Sequence, residues 1–284
     1  MATCTMPSSC ACRWGTTGSG PNSDGQLPRA CTPLPPMFAP RHGAAVYSNQ
    51  NHSVEGKAVA NASDPGFFQT IYSTRALRRF GPRPIPDEVL FQVLDAAIRA
   101  PSGQNAQDWR FLIITGPETK TKLQEWALEG WGHYRARFGN DAAIDALPRS
   151  QRLSLRSVEH LAHHLAEAPA LVLVLGLSGR HSTPGGSAFP AVQNLLLAAR
   201  ALGLGGSIFN LPLGHREELH RLLGIPENNQ VYCLIPLGYP ADRQGPVRRK
   251  PVADVVFDNR FGQRWAFAEN QPPEGWQDRW LRPG

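Results

Sequence analysis

Residues 189–207 read FPAVQNLLLAARALGLGGS, an apolar run of helical period that ends in glycines. Val192, Leu195, Leu196, Leu197, Ala198, Ala199, Ala201 and Leu202 leave only Gln193, Asn194 and Arg200 to meet anything polar. A helix of that composition is expected to be buried around most of its circumference, because water would otherwise face a nearly continuous apolar surface. Gly203, Gly205 and Gly206 then stop it. Successive glycines let backbone N–H groups approach a flat or anionic ligand where a Cβ would intrude. A helix end followed by a tight turn into a strand is the other reading that one glycine cluster leaves open.

Working outward, ALVLVLGL at 170–177 is apolar without alternation, the pattern of a strand covered on both faces. Beyond the glycines, 215–223 reads as a short helix closed by Gly224, and QVYCLIPLG at 230–238 as another strand. Upstream, FFQTIYSTRALRRF at 67–80 carries apolar residues at helical spacing as far as Gly81-Pro82. Pro86-Asp87-Glu88 opens a second helix, since proline and acids both suit a first turn, and WRFLIIT at 109–115 reads as a strand. Two further helices cover 119 to about 137 and 149 to about 167. Helices and strands interleave, which predicts an α+β (mixed α/β) domain with helices on the faces of one sheet. That domain is expected at 67–262. Residues 1–66, rich in Ser, Thr, Pro, Gly, Asn and Ala, are expected to be a disordered leader or a misassigned start. Residues 263–284 are expected to form a C-terminal arm whose Trp265, Phe267, Trp276 and Trp280 pack along a partner subunit.

With 284 residues, 41% of them hydrophobic, the chain has material for one sizeable core. No run reaches the roughly 20 apolar residues that cross a bilayer as a helix, so no membrane partner is expected. The net charge of +6 is scattered except at Arg248-Arg249-Lys250, which places nucleic acid below a small phosphate-bearing ligand. Cys4, Cys10, Cys12 and Cys31 lie in the leader and only Cys233 in the domain, so no disulfide framework holds the core. This usage fits a cytoplasmic protein, with organelle import through the leader as the alternative. His160, His163 and His164 share a helix but lack a third metal ligand, and no metal site is expected. Neither Ser102 nor Ser207 sits in a nucleophile elbow, and no G-x-G-x-x-G follows the first strand.

Three stretches carry candidate chemistry. Arg75 and Arg78, three apart on the expected first helix, would share a face and suit a phosphate monoester; a solvated basic face is the competing reading. The loop 101–107, PSGQNAQ, sets a hydroxyl and several amides before a strand, and amides match the alternating donors and acceptors of a flavin's pyrimidine edge. A plain polar turn reads equally well. Arg248-Arg249-Lys250 is a second phosphate clamp or a basic surface loop.

Taken together, STRALRRF at 73–80, APSGQNAQDWRF at 100–111, the glycine-ended helix, IPLGYP at 235–240 and RRKP at 248–251 resemble, in order and spacing, the nitroreductase family of FMN-dependent oxidoreductases. The resemblance covers about 67–262. It implies a three-layer fold with a central, mainly antiparallel sheet flanked by helices, and a homodimer with one FMN in each of two pockets at the subunit interface. Arg75 and Arg78 match the basic positions of the first motif, while Ala76 stands where a serine is usual. Pro101, Ser102, Asn105 and Gln107 match the second motif, whose polar residues meet the flavin across the interface; Asp108 replaces the usual proline. Gly205 and Gly206 match the backbone that stacks on the isoalloxazine, and Arg249 or Arg248 the basic residue that returns to the phosphate. The implied reaction is ping-pong hydride transfer from NADPH or NADH, through the flavin, to a small-molecule acceptor such as a nitroaromatic or quinone, with no catalytic side chain. Reductive dehalogenation or flavin fragmentation on the same scaffold, and flavin binding without turnover, are the alternatives.

Overall fold

The apolar strand at 170–177 divides its side chains between two cores. In the computed structural model, which describes residues 66–177, 185–242, 247 and 249–269, the elements in chain order are α1 (Phe67–Ser73), α2 (Asp87–Ala97), β1 (Arg110–Ile114), α3 (Pro117–Arg135), α4 (Asp141–Asp145), α5 (Arg149–His163), β2 (Ala170–Leu177), α6 (Ala188–Ala201), β3 (Gly205–Gly206), α7 (Arg216–Leu223), β4 (Asn229–Gly238) and α8 (Ala266–Glu269). The sheet runs β1-β2-β4-β3, and every described pairing in it is antiparallel. On one face Leu171, Leu173 and Leu175 join Leu123 and Trp126 of α3, Leu161 of α5 and Leu219 of α7. On the other, Val172 and Val174 join Val93 of α2 and Val192 and Leu195 of α6. Alternate residues of one strand thus enter opposite cores, which gives three layers. Each of these large side chains contributes roughly 1.5–3 kcal/mol by leaving water.

Local signals account for the element ends. Pro117 opens α3 at its first position and Gly224, at φ 63°, closes α7 in the left-handed conformation. Asn140 caps α4 by accepting the Ala143 N–H at 3.0 Å.

Two expectations are corrected. The first helix stops at Ser73, so Arg75 and Arg78 are not on a helix face. The chain from Thr74 runs alongside the sheet: Leu77 N–H donates to the Gly206 carbonyl (3.0 Å), Gly81 N–H to Tyr239 (2.9 Å), and Ala241 N–H to Arg79 (3.1 Å). Phe80 bridges Pro240 in the same way. Backbone bonds to an open sheet edge outweigh the weak local preference for continuing a short helix. The second correction concerns α6, which buries a stripe of Ala188, Ala191, Val192, Leu195 and Ala199 but leaves Leu196, Leu197 and Ala198 half-buried and Phe189 exposed. Within one chain α6 packs on the sheet, α2 and α1, and its exposed residues are Phe189 and Gln193. Its polar residues are used: Arg200 Nε donates to Ser73 Oγ (2.9 Å) and Asn194 Nδ2 to the Ala96 carbonyl (3.3 Å).

No described helix is long and apolar enough to cross a membrane. Residues 1–65 of the leader expected at 1–66, Arg248, Trp276 and Trp280 lie outside the described residues. Trp265 and Phe267 of the C-terminal arm are exposed, while Ala268 is buried.

Candidate active site

Because the 74–80 segment is extended and tied to β3, Arg75, Ala76 and Arg78 reach one wall of a cavity of about 910 Å³. Arg249, from the stretch after β4, joins them. Arg78 is partly buried, and its Nε is enclosed without a hydrogen-bond partner. Burial pushes its guanidinium pKa down, the charge of Arg75 adds to that, and Tyr134 opposes it. The group stays charged, because arginine does not give up its proton in proteins. A buried, unpaired donor costs about 1–3 kcal/mol, which an anion seated among these arginines would recover. The donor set therefore fits a phosphate.

The facing wall is α5, and it escaped the sequence reading. Ser150, Leu153, Ser154 and Ser157 line the cavity with Arg149. Their spacing of three and four residues puts them on one helical face, so the signal was present in R-S-Q-R-L-S-L-R-S. Only the tertiary structure shows what that face opposes. Farther along α5, Arg79 donates to His160 Nδ1 (3.2 Å), His160 stacks on His164 with ring centres 4.3 Å apart, and His164 Nδ1 meets Glu167 Oε1 (2.8 Å). This chain fastens α5 to the arginine segment. Burial, Arg79 and His164 lower the His160 pKa, against the opposite pull of Glu167 and Asp242. Among the described residues no group of side chains is arranged to hold a metal.

Gly205 and Gly206 line a small neighbouring cavity that shares Arg75. Both have a packing reason to be glycine. A Cβ on Gly205 would come within 2.8 Å of Leu77 Cδ2, and one on Gly206 within 2.7 Å of the Pro236 carbonyl oxygen.

The loop 101–107 holds itself together. Ser102 Oγ accepts the Gln107 N–H (3.0 Å), Gln107 Nε2 donates to Asn105 Oδ1 (2.9 Å), and Gly103 N–H donates to Ser187 Oγ (3.2 Å). Gln104, Asn105 and Gln107 all have positive φ, 54°, 53° and 49°. Left-handed backbone costs roughly 1–2 kcal/mol per residue with a Cβ, less for asparagine, so the loop is strained where its side chains are polar. Pro101, Asn105 and Gln107 are exposed, and Asp108 is buried beside Trp109.

One chain does not bring this loop to the glycines. Gly206 pairs with Leu237 on β4, whereas Arg110, just after the loop, pairs with Leu175, which pairs with Val231. Six residues along β4 and three strand spacings across the sheet separate the two ends by about 25 Å, too far for one flavin ring to touch both.

The model of the nitroreductase family matches residues 71–239, a span that contains the arginine segment, the polar loop and the glycine pair. The chain belongs to the nitroreductase family. Among the relatives of this nitroreductase-family chain, the NADH dehydrogenase of Thermus thermophilus is 30% identical over 193 residues, 64% of this chain and 91% of its own. The iodotyrosine deiodinase of Hydra vulgaris is 27% identical over 241 residues, 81% of this chain and 84% of its own. A crystal structure of oxidised iodotyrosine deiodinase bound to FMN and 3-iodo-L-tyrosine superposes with a TM-score of 0.56 and 26% identity, covering 69% of this chain and 100% of that one. A nitroreductase from Desulfitobacterium hafniense with bound FMN shares the fold at a TM-score of 0.53 and 24% identity, over 68% of this chain and 97% of its own. The α+β architecture read from the sequence is therefore that of the nitroreductase family.

Proposed function

We propose that this nitroreductase-family chain is an FMN-dependent oxidoreductase that uses NADPH or NADH to reduce a small oxidised acceptor, such as a nitroaromatic or quinone, in two alternating half-reactions. The observation that carries the reading is the partly buried Arg78, with its orphaned Nε, in one cavity with Arg75 and Arg249. In this reading those three arginines hold the FMN phosphate, with Ala76 leaving room between them. The backbone at Gly205 and Gly206 edges the ring, and Pro101, Ser102, Asn105 and Gln107 reach it from a second copy of the chain. The distance between the loop and the glycines within one chain supports the homodimer, as do the exposed apolar side chains of Phe91 on α2 (71%) and Phe189 on α6 (43%). When bound, FMN supplies the two-electron chemistry. The protein's own groups anchor the phosphate, orient the ring and leave one side of the cavity for reductant and acceptor in turn.

A visible absorption spectrum of the purified protein, followed by anaerobic addition of NADPH and then NADH, tests this. Flavin bands that bleach with either nucleotide and return with a nitroaromatic or quinone support it. A colourless protein that takes up no added FMN overturns it. The deiodinase relatives favour a second reading, reductive dehalogenation on the same scaffold, which iodide release from 3-iodo-L-tyrosine by the reduced protein would reveal.

A further inference from the structure

We infer that the FMN phosphate is gripped from both walls of the cavity, with the hydroxyls of Ser157 and Ser154 on α5 donating to it alongside Arg78. The inference rests on the FMN reading and adds to it two residues outside the motifs that carry the family resemblance. A phosphate monoester offers three strong acceptor oxygens, more lone pairs than one guanidinium fork meets. The sheet-side wall supplies cations, Arg75, Arg78 and Arg249. Among the described residues its first segment has no hydroxyl to add, since Ala76 carries none and Thr74 Oγ1 is committed to the Thr70 carbonyl (2.6 Å). Another cation beside Arg78 would be costly, because the charge of Arg75 already presses on it. Neutral hydroxyl donors from the facing wall avoid that repulsion.

A helical serine can turn its hydroxyl back to a carbonyl three or four residues earlier, as Ser73 does with Gln69 (2.7 Å). Ser154 and Ser157 do not. Both line the cavity, and neither hydroxyl has a protein partner among the described residues. Residues three apart on a helix stand about 5–6 Å from each other at Cβ, so the two hydroxyls can reach different oxygens of one phosphate. The bond from Arg79 to His160 Nδ1 (3.2 Å) ties the two walls together at this end. Arg78 immediately precedes Arg79, and Ser157 stands one turn before His160, so the tie brings Ser157 and Arg78 to the same end of the cavity. The enclosed Arg78 Nε and the two hydroxyls are thus donors without a protein partner on residues that line one space. An anion that accepts from both walls satisfies them together.

The test titrates the full chain, stripped of flavin, with FMN and with riboflavin, which share ring and ribityl chain and differ only in the phosphate. Binding is read from the quenching of flavin fluorescence. Ser157→Ala should weaken FMN about 10-fold, the lower end for a hydrogen bond to a charged group, and leave riboflavin within about 2-fold. Ser154→Ala, at a more exposed position, should weaken FMN about 3-fold, and Ser157→Thr, which keeps the hydroxyl, should stay within about 3-fold of the parent. Inorganic phosphate probes the same contact without the ring: its competition constant against FMN should rise in S157A by the factor that FMN affinity falls. Unchanged FMN affinity in both alanine variants would overturn the inference and leave the phosphate to the arginine wall. Equal losses for FMN and riboflavin with an unchanged phosphate constant would overturn it as well, by setting α5 against the ring or ribityl chain. A parent protein that takes up no FMN fails the FMN reading instead, which separates the two failures.

Discussion

Replacing Arg78 with Met should move stability and cofactor affinity in opposite directions. In the apo-protein the side chain is partly buried, its Nε lacks a partner, and the charge of Arg75 lowers its pKa further. Methionine keeps the aliphatic stem and removes the orphaned donor and the like-charge contact. An enclosed unpaired donor costs about 1–3 kcal/mol, and because part of Arg78 still reaches water the gain should lie near 1 kcal/mol. For a domain of this size that raises the apo Tm by about 2–4 °C. The same substitution deletes a charge-assisted hydrogen bond to the phosphate, about 1.5–3 kcal/mol, so FMN should bind about 10- to 150-fold more weakly. Two measurements on protein stripped of flavin decide the matter: thermal unfolding without ligand, and quenching of FMN fluorescence on titration. At saturating FMN the order of melting temperatures should reverse, since bound ligand stabilises in proportion to the logarithm of its saturation. An apo Tm that falls by several degrees with an unchanged FMN affinity would refute the argument and make Arg78 a structural cation.

Three further outcomes follow from particular contacts. Gly206→Ala sets a Cβ 2.7 Å from the Pro236 carbonyl and 2.8 Å from Leu237 Cδ2, so β3 has to shift; calorimetry should show about 1–3 kcal/mol of lost stability, and a variant as stable as the parent would show that the strand gives way freely. Gln104→Gly relieves the 54° φ in the polar loop and should raise stability by up to about 1 kcal/mol after the entropy of glycine is counted; a fall would mean that the left-handed turn is not strained. The folded protein holds the His160 pKa below the ordinary value of about 6.5, so the unfolded chain binds the extra proton first. Stability from this site is therefore complete above about pH 6.5 and declines as the pH falls from there to the lower folded value, and His160→Gln should flatten that part of a Tm–pH profile.

Legibility differed sharply between elements. The strand at 170–177 was readable to the residue, because a strand buried on both faces has to be apolar throughout. The end of α7 at Gly224 was readable because a left-handed closing residue favours glycine. The first helix was read too long. Its apolar spacing continues through STRALRRF, but the backbone groups of Leu77 and Gly81 find partners on β3 and beyond β4 that no local pattern announces. The burial expected around most of α6 is complete only along one stripe, with its other apolar residues half-buried, since composition records how much apolar surface a helix has and not how much of it one chain can cover.

The sequence by itself determined the class of the fold, the strands β1, β2 and β4 with the longer helices between them, and the family to which the motifs belong, because hydrophobic period and turn chemistry act over a few residues and leave their mark locally; the short β3, α4 and α8 were not read. The tertiary structure alone decided three things about the candidate site. It set Arg75 and Arg78 on an extended segment, gathered them with Arg249 opposite the serines of α5, and held the 101–107 loop at the far edge of the sheet from Gly205 and Gly206. Each depends on the strand order β1-β2-β4-β3 and on which helix covers which face. Those are set by the competition among all long-range pairings for the same buried surface, and that competition is not written in any single stretch of chain.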